Sequence, residues 1–185
     1  MTKAPANEAK VQKATKATKA TKATKATKAT KVTKATKATK ATDILEPLVS
    51  AAKSVRHRAY APYSKFQVGA ALLTKSGHVF VGCNVENASY PVGICAERSA
   101  LVAMIAAGES HPVALAVVTP GKRGGSPCGM CRQALIEFAR DMPIALVGVE
   151  GFSTTRRDTT LAALLPDVFD FEAKHDPRKK KLGRS

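Results

Sequence analysis

The sequence predicts a three-layer α/β/α fold, in which helices cover both faces of a mixed five-stranded sheet. Two observations carry this prediction. An early strand hairpin follows a first helix with apolar residues at helical spacing, and helices then alternate with apolar strands. A hairpin makes antiparallel neighbours, whereas helical crossovers make parallel ones, so a sheet that contains both is mixed.

The elements follow in order along residues 43–172, which we expect to form one domain of ordinary size. Asp43 is expected to cap a first helix that ends near Arg58. The turn Lys75-Ser76-Gly77 is expected to join the first two strands. The predicted strands are residues 67–74, 78–84, 113–118, 144–149 and 152–156, and the later helices are residues 96–107, 132–140 and 161–165.

The net charge of this domain differs from that of both ends of the chain. Residues 1–42 hold ten consecutive Lys-x-Thr triplets, with twelve lysines and one acidic residue in total, for a net charge of +11. Residues 43–172 balance twelve basic against twelve acidic side chains, and residues 173–185 add +5. A three-residue repeat makes no apolar helical face, so residues 1–42 are predicted to be a disordered tail and residues 173–185 a basic C-terminal tail.

The lysine-rich tail has two interpretations. Its charge suits electrostatic contact with a polyanion such as nucleic acid, or the repeat is a tolerated expansion that only aids solubility. The tail lacks the apolar core of a secretory signal, and no run approaches the roughly twenty apolar residues of a membrane span. Free thiols suit a reducing compartment. We therefore expect a cytoplasmic protein with no membrane partner.

Two short segments carry the chemistry, Cys95-Ala96-Glu97 and Pro127-Cys128-Gly129-Met130-Cys131. Zinc accepts thiolates in tetrahedral sites, and a catalytic site keeps one position open for water. The three cysteines are predicted to fill three positions. Glu97 is then predicted to carry protons between the bound water and a substrate. This arrangement is similar to the zinc-deaminase signature, with a cysteine where a histidine often stands.

Other interpretations of the cysteines are weaker. A C-x-x-C pair alone is also typical of a structural zinc half-site or a redox pair. A closed structural site needs four ligands, and Cys83 lies in an apolar run that predicts a buried strand residue. A thioredoxin-like site leaves Cys95-Ala96-Glu97 unexplained. The full pattern therefore favours a catalytic zinc ion.

All three thiols are predicted to lie at or near helix N-termini. The positive end of the helix dipole favours thiolates there. Arg98 and Arg132 follow the ligands closely. We predict that both donate hydrogen bonds to sulfur and offset the negative charge of three thiolates. The alternative for each is an ordinary surface charge in a first helical turn.

Further segments extend the pattern across residues 44–172. They are AYAPYSKFQVGAAL (59–72), GCNVENASY (82–90), CAER (95–98), SPCGMCRQ (126–133) and LLPDVF (164–169). With these segments the chain resembles the small, homotetrameric cytidine deaminases of the three-cysteine zinc type. The resemblance implies hydrolytic deamination of cytidine and deoxycytidine in pyrimidine salvage, with Zn²⁺ as cofactor and a homotetramer with shared active sites. Neither tail belongs to the family pattern.

The resemblance also implies substrate contacts. Phe66 would pack against the pyrimidine ring, and Asn84 and Glu86 would hydrogen-bond the ribose hydroxyls. Positions 84 and 86 of a strand point to the same side, so both can reach one sugar. The other implied contacts are the Ala96 backbone to the base, Tyr90 in the pocket lining and Phe169 in a neighbouring subunit's site. For Phe66 and Phe169, simple core packing is the alternative.

Two rival functions use the same residues. A polynucleotide deaminase would apply the zinc chemistry to single-stranded RNA or DNA, and a nonenzymatic protein would bind nucleic acid beside an inert domain. The sugar-binding segment 84–87 favours a free nucleoside over a polynucleotide or a blasticidin-type substrate, and the intact catalytic positions favour an enzyme. The preference between cytidine and deoxycytidine stays open.

Overall fold

The computed structural model describes residues 41–169, so most of residues 1–42 and all of residues 173–185 lie outside the described part. Its sheet strands are β1 (Gly69–Thr74), β2 (Val79–Cys83), β3 (Pro112–Pro120), β4 (Pro143–Glu150) and β5 (Ser153–Thr160). Its α-helices are α1 (Ala41–Arg56), α2 (Ala96–Ala106), α3 (Gly129–Ile136) and α4 (Leu161–Leu164), and a 3-10 turn spans Tyr90–Val92.

The five strands form one mixed sheet in the order β2-β1-β3-β4-β5. Strand β1 pairs antiparallel with both β2 and β3, β3 pairs parallel with β4, and β4 pairs antiparallel with β5. The α3 crossover between β3 and β4 accounts for the parallel pair. The predicted mixed five-stranded sheet is confirmed.

Two apolar cores lie on opposite faces of this sheet. Helix α1 packs its buried Leu45, Leu48 and Val49 against one face. Helices α2 and α3 pack against the other face with buried residues that include Met104 and Leu135. Because successive strand residues point to opposite faces, the central strands β1, β3 and β4 contribute to both cores. The result is the predicted α/β/α layering.

Element boundaries differ from the prediction most clearly in three places. Helix α1 already includes Ala41, so Asp43 lies inside the helix and is not its N-cap, and Pro47 cannot donate the usual bond to the Asp43 carbonyl. Strand β5 continues to Thr160, because all eight of its residues pair with β4 although most of them are exposed and polar. Helix α3 ends at Ile136, four residues earlier than expected.

Close backbone packing at two glycines places the helices that carry the cysteines. A Cβ on Gly82 in β2 would lie 2.4 Å from the Ala96 carbonyl oxygen and 2.3 Å from the Ala100 nitrogen, so only glycine lets α2 approach this strand. A Cβ on Gly148 in β4 would lie 2.5 Å from the Gly121 carbonyl oxygen. The loop that leads from β3 to α3 therefore lies directly on the sheet.

Candidate active site

The three predicted zinc ligands meet where α2 and α3 begin. Cys95 is the N-cap residue of α2, Cys128 is the N-cap residue of α3, and Cys131 lies in the first turn of α3. Cys131 is buried, Cys95 is half-buried and Cys128 is exposed. Neither N-cap residue uses its side chain to cap its helix. Both thiols therefore remain available to a metal ion.

The spacing of the sulfur atoms fits a tetrahedral metal site. The Sγ atoms of Cys95 and Cys128 are 3.9 Å apart, those of Cys128 and Cys131 are 3.5 Å apart, and all three lie within 4.8 Å of one another. Zinc–sulfur bonds of about 2.3 Å at tetrahedral angles place ligand sulfurs about 3.8 Å apart. All three cysteines are free, and a disulfide would need a separation of about 2.05 Å. The donor set thus fits zinc with one coordination position left open.

The cluster favours a thiolate at Cys95. Hydrogen bonds from the Cys131 and Cys128 thiols, followed by that from the Arg98 guanidinium, lower the pKa of Cys95 to about 5. The same contact with Cys95, together with burial, raises the pKa of Cys131. Arg98 also donates to the Gly93 carbonyl oxygen at 3.4 Å, and its Nε is buried without a partner among the described residues. Arg98 therefore places its charge beside Cys95.

Glu97 lies next to this cluster in the first turn of α2. Only 5% of the residue is exposed, which is unusual for a carboxylate with no cation bound to it. Burial, followed by the nearby charge of Cys95, raises the pKa of Glu97. A buried carboxyl group whose pKa is raised suits proton transfer near neutral pH.

Arg132 binds main-chain groups and a hydroxyl instead of sulfur. It donates to the carbonyl oxygens of Pro127 and Leu164, both at 2.7 Å, and to the Ser126 hydroxyl at 3.2 Å. None of these described bonds reaches a thiol. The residue therefore joins the segment before Cys128 to the end of α4.

A cavity of about 530 Å³ opens in front of the cluster. Five of the predicted site residues line it, namely Asn84, Glu86, Tyr90, Cys95 and Arg98. The other predicted residues (Phe66, Ala96, Glu97, Cys128, Cys131, Arg132 and Phe169) are outside this lining. The volume is in the range of small-molecule sites.

Asn84 and Glu86 hold the preceding loop of the chain. Asn84 accepts a hydrogen bond from the Val68 amide at 2.8 Å and donates to the Phe66 carbonyl oxygen at 2.9 Å. The Glu86 carboxylate accepts bonds from the amides of Tyr63 and Ser64 at 2.9 and 3.2 Å, and from the Ser64 hydroxyl. Both side chains are thus fixed at the cavity before any substrate arrives.

Several aromatic side chains, in the cavity lining and elsewhere in the predicted site, are exposed. Tyr63 and Tyr90 contact each other edge to face, with ring centroids 6.3 Å apart. Tyr90 is 78% exposed, Phe66 45% and Phe169 69%. The Gln133 amide donates to the Phe169 carbonyl oxygen at 2.9 Å and so holds the segment after α4 on α3. Core packing therefore does not explain Phe66 or Phe169 within one chain.

Several residues of the cavity have no counterpart in the sequence prediction of the site. They are Tyr63, Ser64, Gly93, Ile94 and Met130, whereas Val85 and Asn87 belong to the predicted sugar-binding segment 84–87. Except for Met130 in α3, these residues lie in the loops that flank β1 and β2, where no periodic pattern exists. The segment 59–72 contains Tyr63 and Ser64, so its similarity to a known family was the available signal.

No helix in the range 41–169 has the length and apolar character that crossing a membrane requires.

Comparison with known proteins agrees with this geometry. Residues 42–146 match the family model for the cytidine and deoxycytidylate deaminase zinc-binding region. A cytidine deaminase of Sporosarcina psychrophila is 43% identical over 129 residues, which cover 69% of this chain and 93% of that protein. A cytidine deaminase of Halalkalibacterium halodurans is 44% identical over 130 residues, which cover 70% and 96%.

The similarity extends to solved structures. The crystal structure of a cytidine deaminase from Burkholderia pseudomallei is 48% identical, with a TM-score of 0.62, and the match covers 66% of this chain and 97% of that one. That of Mycobacterium tuberculosis is 37% identical, with a TM-score of 0.54, over 68% and 96%. With its three-thiol site and buried glutamate, the chain belongs to the zinc-dependent cytidine deaminase family.

Proposed function

We propose that Glu97 moves the protons in the hydrolytic deamination of cytidine, while Cys95, Cys128 and Cys131 hold the zinc ion. One observation carries this assignment. A carboxyl group that is 5% exposed lies in the first turn of the helix that begins at one thiol, next to two other thiols. Proton transfer by a positioned carboxyl group typically contributes about 10²–10⁴-fold to a rate.

The reaction requires the carboxyl group to act twice. Bound zinc supplies a Lewis acid that lowers the pKa of the attacking water. Glu97 accepts a proton from that water and delivers it to N3 of the pyrimidine ring as the C4–O bond forms. It then takes the second proton from the new C4 hydroxyl group and passes it to the departing amino group, as the C4–N bond breaks and the C4 carbonyl forms. Cytidine and water thereby become uridine and ammonia.

Substrate contacts complete the proposal. Asn84 and Glu86 would hydrogen-bond the sugar hydroxyls of cytidine or deoxycytidine, and Phe66 would pack against the base. The proposal is supported by the cavity that Asn84 and Glu86 line and by the exposed Phe66, whose carbonyl oxygen accepts a hydrogen bond from Asn84. The Ala96 backbone would contact the base, Tyr90 would line the pocket, and Arg98 would offset the charge of the thiolates.

A shared active site would explain the exposed apolar side chains. Eight large ones lie on or beside the cavity segments of a single chain: Tyr60, Tyr63, Phe66, Val85, Tyr90, Val92, Met130 and Phe169. Exposed apolar patches of this kind mark contacts with other proteins. We propose that copies of this chain form a homotetramer, in which Phe169 enters a neighbouring site.

The domain, the pathway and the location are further proposals. We propose that residues 43–172 form the deaminase domain, that the reaction serves pyrimidine salvage and that the enzyme works in the cytoplasm. The four free cysteines support a reducing compartment.

Replacement of Glu97 tests the catalytic assignment. The Glu97→Gln variant should keep its zinc and lose about 10³-fold in kcat for cytidine, because the amide cannot carry the proton. The matched variant Glu150→Gln changes an exposed glutamate at the end of β4 and should keep full activity. The assay is the ultraviolet absorbance loss of cytidine, with zinc measured by elemental analysis. Near-native turnover by Glu97→Gln would overturn the assignment.

A second proposal concerns residues 1–42, which we propose contact a polyanion such as nucleic acid. Four cationic side chains, Lys122, Arg123, Arg156 and Arg157, line a cavity of about 510 Å³ beside the edge strand β5. Glu46 of α1 forms an ion pair with Arg156 at 2.8 Å, so the first turns of α1 lie near this cavity. Helix α1, which follows the lysine repeat in the sequence, therefore begins near a basic surface.

Acidic neighbours reduce but do not cancel that surface. Arg156 is bound by Asp158 as well as by Glu46, and Glu150 lies 3.9 Å from Lys122. Arg123 and Arg157 have no carboxylate partner in the described part of the chain. These two arginines are available to phosphate groups that the tail brings close.

Charge removal in the tail tests this contact. A variant with glutamine at the ten repeat lysines keeps the chain length, and we expect at least about tenfold weaker binding of a fluorescent single-stranded oligonucleotide in low salt. Cytidine turnover should not change. Equal binding by both proteins at every salt concentration would contradict the proposal. Deamination of the oligonucleotide itself would instead favour a polynucleotide deaminase.

A further inference from the structure

One hydroxyl group connects the two loops that face the cavity. The Ser64 hydroxyl donates to Oε1 of Glu86 and accepts a hydrogen bond from the Phe66 amide at 3.0 Å. These partners belong to segments that are 22 residues apart in the chain. Ser64 therefore contacts the side chain proposed to bind the sugar and the backbone of the residue proposed to pack against the base.

The carboxylate of Glu86 is almost fully used by this loop. An ionised carboxylate offers about four lone-pair positions. The amides of Tyr63 and Ser64 bind Oε2, and the Ser64 hydroxyl binds Oε1. This leaves Oε1 with the free position that a sugar hydroxyl needs. The Ser64 hydroxyl thus fixes the orientation of the oxygen that remains available.

The backbone between the two contacts is constrained. Lys65 has a φ of 58°, in the left-handed region that non-glycine residues rarely adopt. Such a conformation persists only where surrounding bonds impose it. The Lys65 amide donates to the Ala61 carbonyl oxygen at 3.1 Å, and Asn84 holds the Phe66 carbonyl oxygen and the Val68 amide just beyond. The loop is therefore held on both sides of Ser64.

From these contacts we infer that Ser64 is a positioning residue that sets the discrimination between nucleosides by their sugar hydroxyls. It acts through Glu86, and this inference rests on the proposed sugar contact of Glu86. Loss of the hydroxyl removes the hydrogen bond that holds Oε1 of Glu86 and leaves the Phe66 amide without its acceptor. The sugar contact weakens as a result, while the thiol cluster and Glu97 keep their arrangement.

The test compares cytidine with 2′,3′-dideoxycytidine, which lacks the 2′- and 3′-hydroxyls of the sugar. In Ser64→Ala we expect the ratio of kcat/KM for the two nucleosides to fall about tenfold, the effect of one hydrogen bond to a charged group. The change should appear in KM for cytidine with little change in kcat. Ser64→Thr keeps a hydroxyl and should restore most of the ratio.

A matched control separates this role from general loop stability. Ser76 also donates to a glutamate, Oε1 of Glu109 at 2.5 Å, but in the turn between β1 and β2. Ser76→Ala should leave the nucleoside ratio unchanged. Zinc content and melting temperature, measured for every variant, identify any general loss of structure.

Two outcomes overturn the inference. One is a Ser64→Ala protein whose nucleoside ratio equals that of the wild type. The other is a further fall in the ratio when Ser64→Ala is added to Glu86→Gln, because a residue that acts through Glu86 has no effect once that carboxylate is gone. A Glu86→Gln protein with an unchanged ratio would instead refute the proposed sugar contact itself.

Discussion

The thiol cluster and the cavity in front of it are held in different ways. The cluster lies at the N-termini of α2 and α3, which pack into the same apolar core, and both Cys131 and Glu97 are buried. The cavity instead lies between two loops that side-chain-to-backbone hydrogen bonds hold together, and its aromatic residues are exposed. Burial orients the reacting groups, whereas local hydrogen bonds orient the groups proposed to recognise the nucleoside.

This difference predicts separate consequences for the two regions. Changes in the cluster should abolish turnover and reduce stability together, because zinc binding is coupled to folding. Changes in the loops should raise KM and leave both zinc and the fold in place.

Replacement of Cys131, the buried cysteine of the cluster, is expected to have the largest effect. Cys131→Ser should reduce bound zinc and lower cytidine turnover to about one hundredth or less of the wild-type rate, because a hydroxyl is a poor zinc ligand. It should also lower the melting temperature. Cys83→Ser, at the end of β2 and outside the cluster, is the matched control and should keep its zinc. A Cys131→Ser protein with full zinc and full activity would remove the cluster from the mechanism.

Substitutions in the loops are expected to have a smaller effect, which changes KM and leaves the zinc content unchanged. Asn84→Ala removes two bonds to the 66–68 backbone and the proposed sugar contact, so KM should rise about tenfold or more with zinc unchanged. Asn87→Ala removes only a local bond to the Ser89 amide and should change KM much less. If Asn84→Ala lost zinc to the same extent as Cys131→Ser, the two regions would not be independent.

Replacement of Phe169 is expected to give a modest effect. Phe169→Ala should raise KM several-fold, because the proposed aromatic contact across a subunit boundary would contribute about 0.5–1.5 kcal/mol of binding. Phe152→Ala alters a fully exposed phenylalanine in the β4–β5 turn and serves as the control. Light scattering gives the assembly state in parallel. An enzyme that is fully active as a monomer would refute the shared site.

The smallest effect is a shift in pH dependence. The Ser64 hydroxyl, followed by the Ser64 and Tyr63 amides, lowers the pKa of Glu86 from its ordinary 4.5. The carboxylate therefore stays charged as the pH falls through that value, and cytidine affinity should weaken only at lower pH. In Ser64→Ala the weakening should begin at higher pH. Calorimetric titration of cytidine into Glu97→Gln proteins measures this without turnover, and coincident profiles would argue against the contact.

Sequence reasoning located the buried region better than the exposed one. Cysteine spacing predicted the zinc ligands. Helix patterns placed the thiols at helix N-termini, because each cysteine motif lies where a helical pattern begins. Strands β1 to β4 followed from apolar runs. The extent of β5 was underestimated because this edge strand is polar, and only its pairing with β4 reveals its length.

The loop contacts could not be predicted from a local pattern. Ser64 reaches Glu86 across 22 residues, and Arg132 reaches the Leu164 carbonyl oxygen across 32. Such bonds depend on how the chain folds back, and no periodicity encodes them. The prediction that Arg132 donates to sulfur assumed that proximity in sequence decides its partner. The structure instead turns its guanidinium toward carbonyl oxygens, which are stronger acceptors than sulfur.

Removal and return of zinc tests the central claim most directly. We expect purified protein to contain one zinc ion per chain, to lose cytidine turnover when a chelator removes it, and to regain turnover with one equivalent of zinc. Glu97→Gln should bind the same single equivalent and stay inactive. Undiminished conversion of cytidine to uridine by zinc-free protein would contradict the assignment of the three thiols and Glu97 to one catalytic site.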